Sequence, residues 1–341
     1  MSSPDGDLEY SVESAVRSCL SRWTASGDGV LAAVSGGVDS LVLLRAVAEF
    51  GVRTGRRVFA AHLNHNLRGS ASAADASLVR RACLDLGVEL TEEELPAGFL
   101  SEVSAGSLEE AARGARMSFL VRVAKLRGVD LVLTAHHAGD QSETVLYNIL
   151  RGSGLKGLRG IPEVRELSPG IRLLRPLLGI SRRLIEEYAG RLGLEFAVDA
   201  SNSDLRFTRN RIRHELLPQL RAQFNPAVDE ALRRLSEQSG ELLEIVDELA
   251  DELLVRAVLQ EDGGGCRLSI SVLSSAPVAL VRHALVRLWD RRGWPRQRMG
   301  AAHWQRVAAA VCAPGVGDFP GGLRVESTAG ILRITRLSSM D

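Results

Sequence analysis

Paired cysteines are missing from this chain of 341 residues. Cys19, Cys83, Cys266 and Cys312 stand singly, and no Cys-x-x-Cys pair occurs, so a zinc or iron–sulfur site held by cysteines is not expected. Such cysteine usage is typical of a reduced, cytoplasmic protein. No apolar run approaches the ~20 residues that cross a bilayer, and the polar, acidic N-terminus lacks the pattern of a secretion signal. We therefore expect a cytoplasmic location and no membrane partner.

The chain also has no net charge, with 42 basic and 42 acidic side chains, which argues against a uniformly basic nucleic-acid binder. Lysine is nearly absent, since only Lys125 and Lys156 occur. The charges are unevenly distributed: residues 226–262 carry eleven acidic side chains and three arginines, whereas residues 263–341 carry eleven arginines and four acidic side chains. The basic segment either forms a contact surface for RNA phosphates or reflects a general preference for arginine.

Strand and helix patterns alternate over the first half of the chain. Apolar runs predict strands at 30–34, 58–63, 88–90 and 131–135, with helices between them. This order predicts a Rossmann-like α/β fold, a doubly wound parallel sheet in which ligands lie outside the carboxyl ends of the strands.

The pattern changes beyond Arg151, where a glycine-rich segment begins. A long acidic helix is predicted over 226–259, then helices at 277–291 and 299–312, and a short β tail at 319–334. The expected organisation is an N-terminal α/β domain at 1–216, a long acidic connecting helix at 217–262, and a mainly helical C-terminal domain with a short β tail at 263–341.

One polar loop lies between the first predicted strand and the following helix. Its glycines allow φ > 0 and close approach to a ligand, and the first N–H groups of a helix attract anions. A carboxylate in such a loop would repel a phosphate unless a cation lay between them. Two interpretations fit: a polar turn that caps a helix, or a pyrophosphate cradle with a metal-binding aspartate. No Gly-Lys-Ser/Thr follows, so this is not the common P-loop. The loop residues are Ser35, Gly36, Gly37, Val38, Asp39 and Ser40.

Two further polar clusters follow predicted strands. In the first, at 62–69, two histidines lack a third metal ligand at a recognisable spacing, so lining a nucleotide pocket is favoured over binding a metal. The second, at 136–144, places Asp140 and Glu143 on one face of a helix. Their oxygens suit Mg²⁺, although capping of the helix is the simpler explanation of this cluster taken alone.

These clusters occur in the order found in one enzyme family. The chain resembles the tRNA(Ile)-lysidine synthetase family of N-type ATP-pyrophosphatases, or PP-loop enzymes, over about residues 30–215. The region from about 217 resembles the first C-terminal tRNA-binding domain of that family, and the second such domain of longer members is not expected here. The resembling stretches are 35–40, 62–69, 110–113, 136–144, 151–158, 175–178 and 199–213.

The resemblance implies a two-step reaction. ATP adenylates the C2 oxygen of the wobble cytidine in the CAU anticodon of tRNA(Ile), and the ε-amino group of L-lysine then displaces AMP. The product, lysidine, changes decoding from AUG to AUA.

The resemblance also implies roles for particular residues. ATP is expected to bind Ser35, Gly36, Gly37, Val38, Asp39, Ser40, Ala61, His62 and His136. Mg²⁺ is expected at Asp39, Asp140 and Glu143, which with Arg113 are also the expected catalytic residues. The residues expected to contact tRNA or lysine are Arg151, Lys156, Asn202, Arg206, Arg209, Asn210 and Arg213.

Two positions depart from the family pattern. Gly139 stands where an acidic residue is frequent, and Met117 stands where an aromatic residue is frequent. Family members are often dimeric, which leaves a homodimer open. Two other functions also remain open. One is a PP-loop thiolase that acts on RNA, but such enzymes usually have the paired cysteines missing here. The other is a nucleotide-binding sensor without turnover, which would not need a metal ion to stabilise departing pyrophosphate.

Overall fold

The computed structural model describes residues 4–23, 29–66, 70–96, 105–197, 205–296 and 298–337. The chain divides into two compact units, Met1–Ser236 and Glu237–Asp341. The long helix predicted over 226–259 runs from Val228 to Ala257 and crosses this division. None of the described helices is both long and apolar enough to cross a membrane.

The first unit contains a six-stranded sheet in the order β3-β2-β1-β4-β6-β5. All neighbouring strands are parallel except β5, which is antiparallel to β6. The prediction of a Rossmann-like, mostly parallel sheet is therefore confirmed. We did not predict β5, because three of its five residues are polar, as is common for an edge strand. The strands are β1 (Gly29–Ala33), β2 (Arg57–Asn64), β3 (Glu89–Glu94), β4 (Leu131–Leu133), β5 (Val164–Ser168) and β6 (Ile171–Leu174).

Helices cover both faces of this sheet. Alternate residues of β1 point to opposite faces: Val30 packs in a cluster with Val42, whereas Leu31 packs with Phe119 and Leu120. Burial on both faces explains why β1 is apolar at every position. The helical segments are α1 (Pro4–Trp23), α2 (Val38–Thr54), α3 (Ser70–Asp85), α4 (Ala105–Arg127), α5 (Ala138–Leu150), α6 (Leu155–Leu158), α7 (Arg182–Arg191), α8 (Thr208–Arg211), a π-helical turn (Ile212–Leu216), α9 (Leu217–Gln223) and α10 (Val228–Ala257).

The second unit contains a five-stranded antiparallel sheet in the order β7-β8-β11-β10-β9. The Trp289 ring lies edge-on to those of Trp294 and Trp304, with centroids 5.0 and 5.3 Å apart. The β7–β8 hairpin was not predicted; Asp262 Oδ1 accepts hydrogen bonds from the N–H groups at 264 and 265 and fixes its turn. The elements are β7 (Val258–Asp262), β8 (Gly265–Ser269), α11 (Ile270–Ser274), α12 (Val278–Arg291), α13 (Ala301–Ala309), β9 (Gly315–Phe319), β10 (Leu323–Thr328) and β11 (Ile331–Arg336).

Parallel strands bring their carboxyl ends to one edge of the first sheet. The segments after β1, β2, β4 and β6 carry most of the polar residues singled out in the sequence. This edge is where an open α/β sheet binds ligands.

Candidate active site

The loop after β1 is closed by its own serines. Ser40 Oγ donates a hydrogen bond to the Gly37 carbonyl (2.8 Å) and accepts from Ser35 N (3.1 Å) and Ser35 Oγ (3.2 Å). Only one of the two glycines needs left-handed backbone: Gly36 has φ +92°, whereas Gly37 has φ −73° and is the N-cap of α2. No side chain of the described residues caps this helix, so its N-terminus is a suitable site for an anion.

The end of β2 supports the same loop. Val34 N donates to the Ala61 carbonyl at 2.9 Å, and His62 Nδ1 lies 2.8 Å from the Val34 carbonyl. A backbone carbonyl only accepts, so Nδ1 carries the proton of His62. His62 is 4% exposed, and its Nε2 finds no hydrogen-bond partner in the part of the chain that the structure describes. His62 thus supports the loop after β1 and keeps one acceptor nitrogen unused.

Asp39, in the first turn of α2, contacts a residue that the sequence did not indicate. Its Oδ2 accepts a hydrogen bond from Arg182 at the start of α7. Its Oδ1 is buried, and among the described residues it accepts no hydrogen bond. Burial raises the pKa of Asp39; the charges of His137 and Arg182 oppose that rise.

His137 caps the helix that follows β4. The Nδ1 atom accepts a hydrogen bond from Gly139 N at 3.0 Å, while Asp140 Oδ2 accepts from His137 N at 3.0 Å. The ring proton therefore lies on Nε2, which is 3.9 Å from Asp39 Oδ1 and 3.7 Å from Asp140 Oδ2. A Cβ at position 139 would approach His137 Cε1 to 2.8 Å. Glycine at this departure from the family pattern thus leaves room for the histidine cap.

Asp140 and Glu143 share one face of α5, as predicted, and that face meets two arginines. Arg209 Nε lies 2.9 Å from Glu143 Oε2, and its Nη2 lies 3.0 Å from Asp140 Oδ1. Arg213, in the π-helical turn, binds both oxygens of Glu143 and approaches Asp140 Oδ1 to 3.3 Å. Burial favours a higher pKa for Asp140, but His137 and Arg209 outweigh it and the pKa lies below its ordinary value.

The three-carboxylate Mg²⁺ site stays a prediction, and in this structure arginines contact two of its carboxylates. Both oxygens of Glu143 and Oδ1 of Asp140 accept hydrogen bonds from arginine, and Asp140 Oδ2 accepts one from a backbone N–H. In the described residues no group of three or more His, Cys, Asp or Glu side chains is arranged to hold a metal ion. Of these three carboxylates, only that of Asp39 has an oxygen without a hydrogen bond to the described residues. A single carboxylate beside phosphate oxygens is a frequent way of binding Mg²⁺.

His136 precedes His137 in the segment after β4. Its Nδ1 is 3.0 Å from Thr134 Oγ1. Burial lowers the pKa of His136 to about 3, with nearby Arg175 contributing. The imidazole is therefore neutral at physiological pH and suits contact with an uncharged group better than with a phosphate.

The remaining predicted residues are more scattered. Arg113 lies on α4 near Arg165 and Arg175, and its predicted catalytic role stays a prediction. Arg151 is stacked 5.3 Å from the Tyr147 ring centroid. Lys156 belongs to the short α6. Arg206 is exposed and Asn210 is half-buried in the segment that carries Arg209, while Asn202 lies outside the described residues.

Three residues were missed: Arg182, His137 and Arg175. The spacing of His137 and Asp140 matches a capping box and could have identified the histidine. Arg182 lies 143 residues from Asp39 in the chain, and no local pattern links them.

Comparison with known proteins agrees with this geometry. The PP-loop domain model matches residues 8–220. A tRNA(Ile)-lysidine synthase from Gloeobacter violaceus is 39% identical over 288 residues, covering 84% of this chain and 82% of the relative. The chain belongs to the tRNA(Ile)-lysidine synthase family. A second member, from Symbiobacterium thermophilum, is 36% identical over 324 residues, and the match spans 91% of this chain but only 66% of the relative.

A solved structure supports the fold assignment. A U34-tRNA thiolase from Methanococcus maripaludis aligns with a TM-score of 0.55 over 68% of this chain and 78% of its own, at 17% identity. At that identity the likeness shows a shared PP-loop fold and carries no information on the substrate. The resemblance inferred from the motifs is confirmed, and this chain is a family member with Gly139 and Met117 at the two departing positions.

Proposed function

We propose that this protein uses ATP to attach L-lysine to C2 of the wobble cytidine in a CAU-anticodon tRNA(Ile), releasing pyrophosphate and then AMP. The observation that carries the proposal is the Ser35–Ser40 loop, which contains Asp39, in a chain of this family. The uncapped N-terminus of α2, next to the serine-closed loop, offers N–H donors to the leaving pyrophosphate. Arg182 contacts Asp39, so its guanidinium lies where it can act as a further donor to the pyrophosphate.

Asp39 is the residue that fits a bound Mg²⁺ best. Its unbonded Oδ1 and the phosphate oxygens of ATP would hold the ion, which would offset charge on the leaving pyrophosphate. Arg182 and His137 keep the Asp39 carboxylate in place from two sides. His62 and the Ala61 backbone hold the β1 loop against β2, so the donors are oriented before ATP binds.

The second step needs a neutral amine, because the ammonium form of lysine is not a nucleophile. Of the three candidate carboxylates, Glu143 is fully engaged by Arg209 and Arg213. Asp39 has the unbonded oxygen, so we assign it the proton of the lysine ammonium once pyrophosphate has left. The amine nitrogen then forms a bond to C2, the bond from C2 to the adenylate oxygen breaks, and AMP departs.

The tRNA contacts and the setting of the reaction belong to the same proposal. Arg206 and Asn210 lie in the same segment as the two arginines that bind the α5 carboxylates, so this segment is well placed to meet RNA phosphate near the candidate site. Arg151 directly follows α5, and Lys156 lies on the next helix, α6. We further propose that the protein forms a homodimer, because members of this family are often dimeric. We place the reaction in the cytoplasm, because all four cysteines are unpaired.

One assay tests the proposal. The protein is incubated with ATP, radiolabelled lysine and a CAU-anticodon tRNA(Ile) transcript, and label in the RNA is measured together with pyrophosphate. We expect one lysine per tRNA; ATP binding without label in the RNA would exclude lysidine formation. For Asp39→Ala we expect a loss of pyrophosphate release of about 10²–10³-fold or more, typical of removing a key charge at a reacting centre, with an unchanged circular dichroism spectrum.

The matched control is Glu49→Gln, about three turns along the same helix. Among the described residues, Glu49 pairs with two arginines of the helix surface, Arg45 and Arg53. The rate of this variant should therefore stay within about twofold of the wild-type rate. Near-normal turnover by Asp39→Ala would remove Asp39 from the reacting centre.

A further inference from the structure

The segment 151–161, which follows α5, has no buried side chain. Each of its residues is half-buried or exposed, including Lys156 on α6. The apolar packing that fixes most chain segments is therefore small here. Hydrogen bonds to neighbouring helices must set the position of this segment instead.

Two amide side chains of α5 hold the backbone of the segment. Gln141 Nε2 donates to the Arg159 carbonyl at 3.0 Å, and Gln141 Oε1 accepts from Ile161 N at 2.7 Å. Asn148 Nδ2 donates to the Gly157 carbonyl at 2.8 Å. The two amides are seven residues apart and so lie on one face of the helix. The segment is thus fastened along α5 at two places.

Ser236 of α10, the last residue of the first unit, completes the arrangement. Its Oγ donates to the same Arg159 carbonyl at 2.7 Å and accepts a hydrogen bond from Gln141 Nε2. Gln141 is 7% exposed and Ser236 is 4% exposed. The orientation of the amide is fixed, because a carbonyl only accepts and a peptide N–H only donates. A buried polar network in which every member is bonded holds a single arrangement of the parts that it joins.

The backbone passes directly against α5 at Gly160. This residue has φ +66°, and a Cβ there would approach Gln141 Oε1 to 2.7 Å and Val145 Cγ2 to 2.9 Å. Glycine is therefore required both by the left-handed backbone and by the close approach. Together with the hydrogen bonds to residues 159 and 161, this contact fixes the end of the segment that leads to β5.

We propose that Gln141 and Ser236 are positioning residues for RNA binding, because they hold Lys156 in place to contact a tRNA phosphate. Lys156 is exposed in the middle of the segment. A backbone that is fixed before binding loses less conformational freedom when the ammonium meets the phosphate. Arg151, at the other end, is held separately, since its Nη1 donates to Tyr147 Oη at 3.0 Å. This inference rests on the proposed function, which assigns Lys156 to the RNA.

Ser236 allows a matched pair of substitutions. Ser236→Thr keeps the hydroxyl, whereas Ser236→Val has the same shape without it, so their difference isolates the hydrogen bonds. We expect Ser236→Val to bind a CAU-anticodon tRNA(Ile) transcript about 5- to 20-fold more weakly than Ser236→Thr. The affinity for ATP should stay within about twofold, since the Ser35–Ser40 loop takes no part in these contacts. Ser239→Ala is the control, because Ser239 is one turn along the same helix and 3% exposed, and both affinities should stay unchanged.

Two measurements separate positioning from a general loss of stability. The slope of log K against log salt counts phosphate contacts, and losing one contact reduces it by about 0.7–1. Ser236→Val and Lys156→Ala should therefore show the same reduction. In a double-mutant cycle, Ser236→Val should weaken tRNA binding by Lys156→Ala less than about twofold further, because the lysine that it positions is already gone.

A second variant keeps the test independent of the buried serine. Asn148 is half-buried, and Asn148→Ala removes the bond to Gly157 beside Lys156. It should show the same weaker binding, the same reduction in salt slope and the same lack of additivity with Lys156→Ala.

Several results would overturn the inference. These are equal tRNA affinities of Ser236→Val and Ser236→Thr, full additivity with Lys156→Ala, and an equal loss of ATP affinity, which would leave the network a purely structural role. Binding of tRNA is measured without turnover, so a wild-type protein that binds tRNA but transfers no lysine refutes the proposed function alone. A wild-type protein that binds no tRNA refutes both.

Discussion

The ion-pair cluster of Asp140, Glu143, Arg209 and Arg213 leads to a quantitative prediction for Glu143→Gln. Glu143 has 3% of its side chain exposed, whereas Arg209 and Arg213 have 34% and 32% exposed. Breaking a buried ion pair costs about 3–5 kcal/mol, and breaking an exposed one costs up to about 1 kcal/mol. For a buried acid facing half-exposed bases we expect the free energy of unfolding to fall by about 2–3 kcal/mol, between these two limits.

Calorimetry measures this loss. For a unit of this size, 1 kcal/mol lowers Tm by about 2–4 °C, so the transition of the first unit should shift by about 4–12 °C. The matched control is Glu215→Gln in the same segment. Glu215 lies 3.9 Å from Arg211, with more than half of each side chain exposed, and its loss should cost no more than about 0.5 kcal/mol.

A double-mutant cycle with Arg213→Gln assigns the energy to the pair. We expect a coupling of about 1–2 kcal/mol, within the range for side chains in direct contact. A loss below about 0.5 kcal/mol for Glu143→Gln, or no coupling with Arg213, would show that these side chains do not fasten the 208–216 segment to α5, and the reasoning from burial would fail.

Three further outcomes are expected. Gly36→Ala should lower the free energy of unfolding by about 1–2 kcal/mol, because alanine is strained at a φ of +92°; in chemical denaturation Gly37→Ala, at φ −73°, should cost clearly less, and equal losses would contradict the assignment. Burial lowers the pKa of His136 to about 3 in the native chain, whereas an unfolded histidine has a pKa of about 6.5. Between these two values the unfolded chain binds one more proton than the native chain. Stability should therefore fall between about pH 6.5 and 3. His136→Gln should flatten that fall by up to about 1.4 kcal/mol per pH unit in urea titrations, and identical pH slopes would count against a neutral buried histidine. In native alkylation read by mass spectrometry, Cys312 should react first, because burial raises the pKa of the other thiols to about 11 or 12; early loss of a buried thiol would refute this.

Local sequence patterns were sufficient for the centre of the fold. The apolar run before Ser35 and the glycines after it predicted β1, the turn and α2, because each feature acts within a few residues. The edge strands β5 and β7 were not predicted, since an edge strand exposes polar side chains and lacks the strict apolar alternation that marks a half-buried strand.

Part of the site was predictable for the same reason. The shared face of Asp140 and Glu143 follows from helical spacing. Their arginine partners lie 66 to 73 residues further along, and Arg182 lies still further from Asp39. Tertiary packing creates these contacts. The sequence could therefore suggest carboxylates as metal ligands, but it could not show that two of these carboxylates form ion pairs with arginines.

The near absence of lysine has a chemical consequence for an enzyme that makes a nucleobase reactive towards amines. An adenylated cytidine is an electrophile, and any neutral amine of the protein near it would compete with the substrate. The crevice is lined by arginine, whose guanidinium stays protonated and does not act as a nucleophile. Lys125 lies in the last turn of α4, which leaves Lys156 of α6 as the one internal amine close to α5 in sequence. In the proposed function, arginine would thus offer positive charge to RNA and phosphate without adding an amine that could react with the activated base.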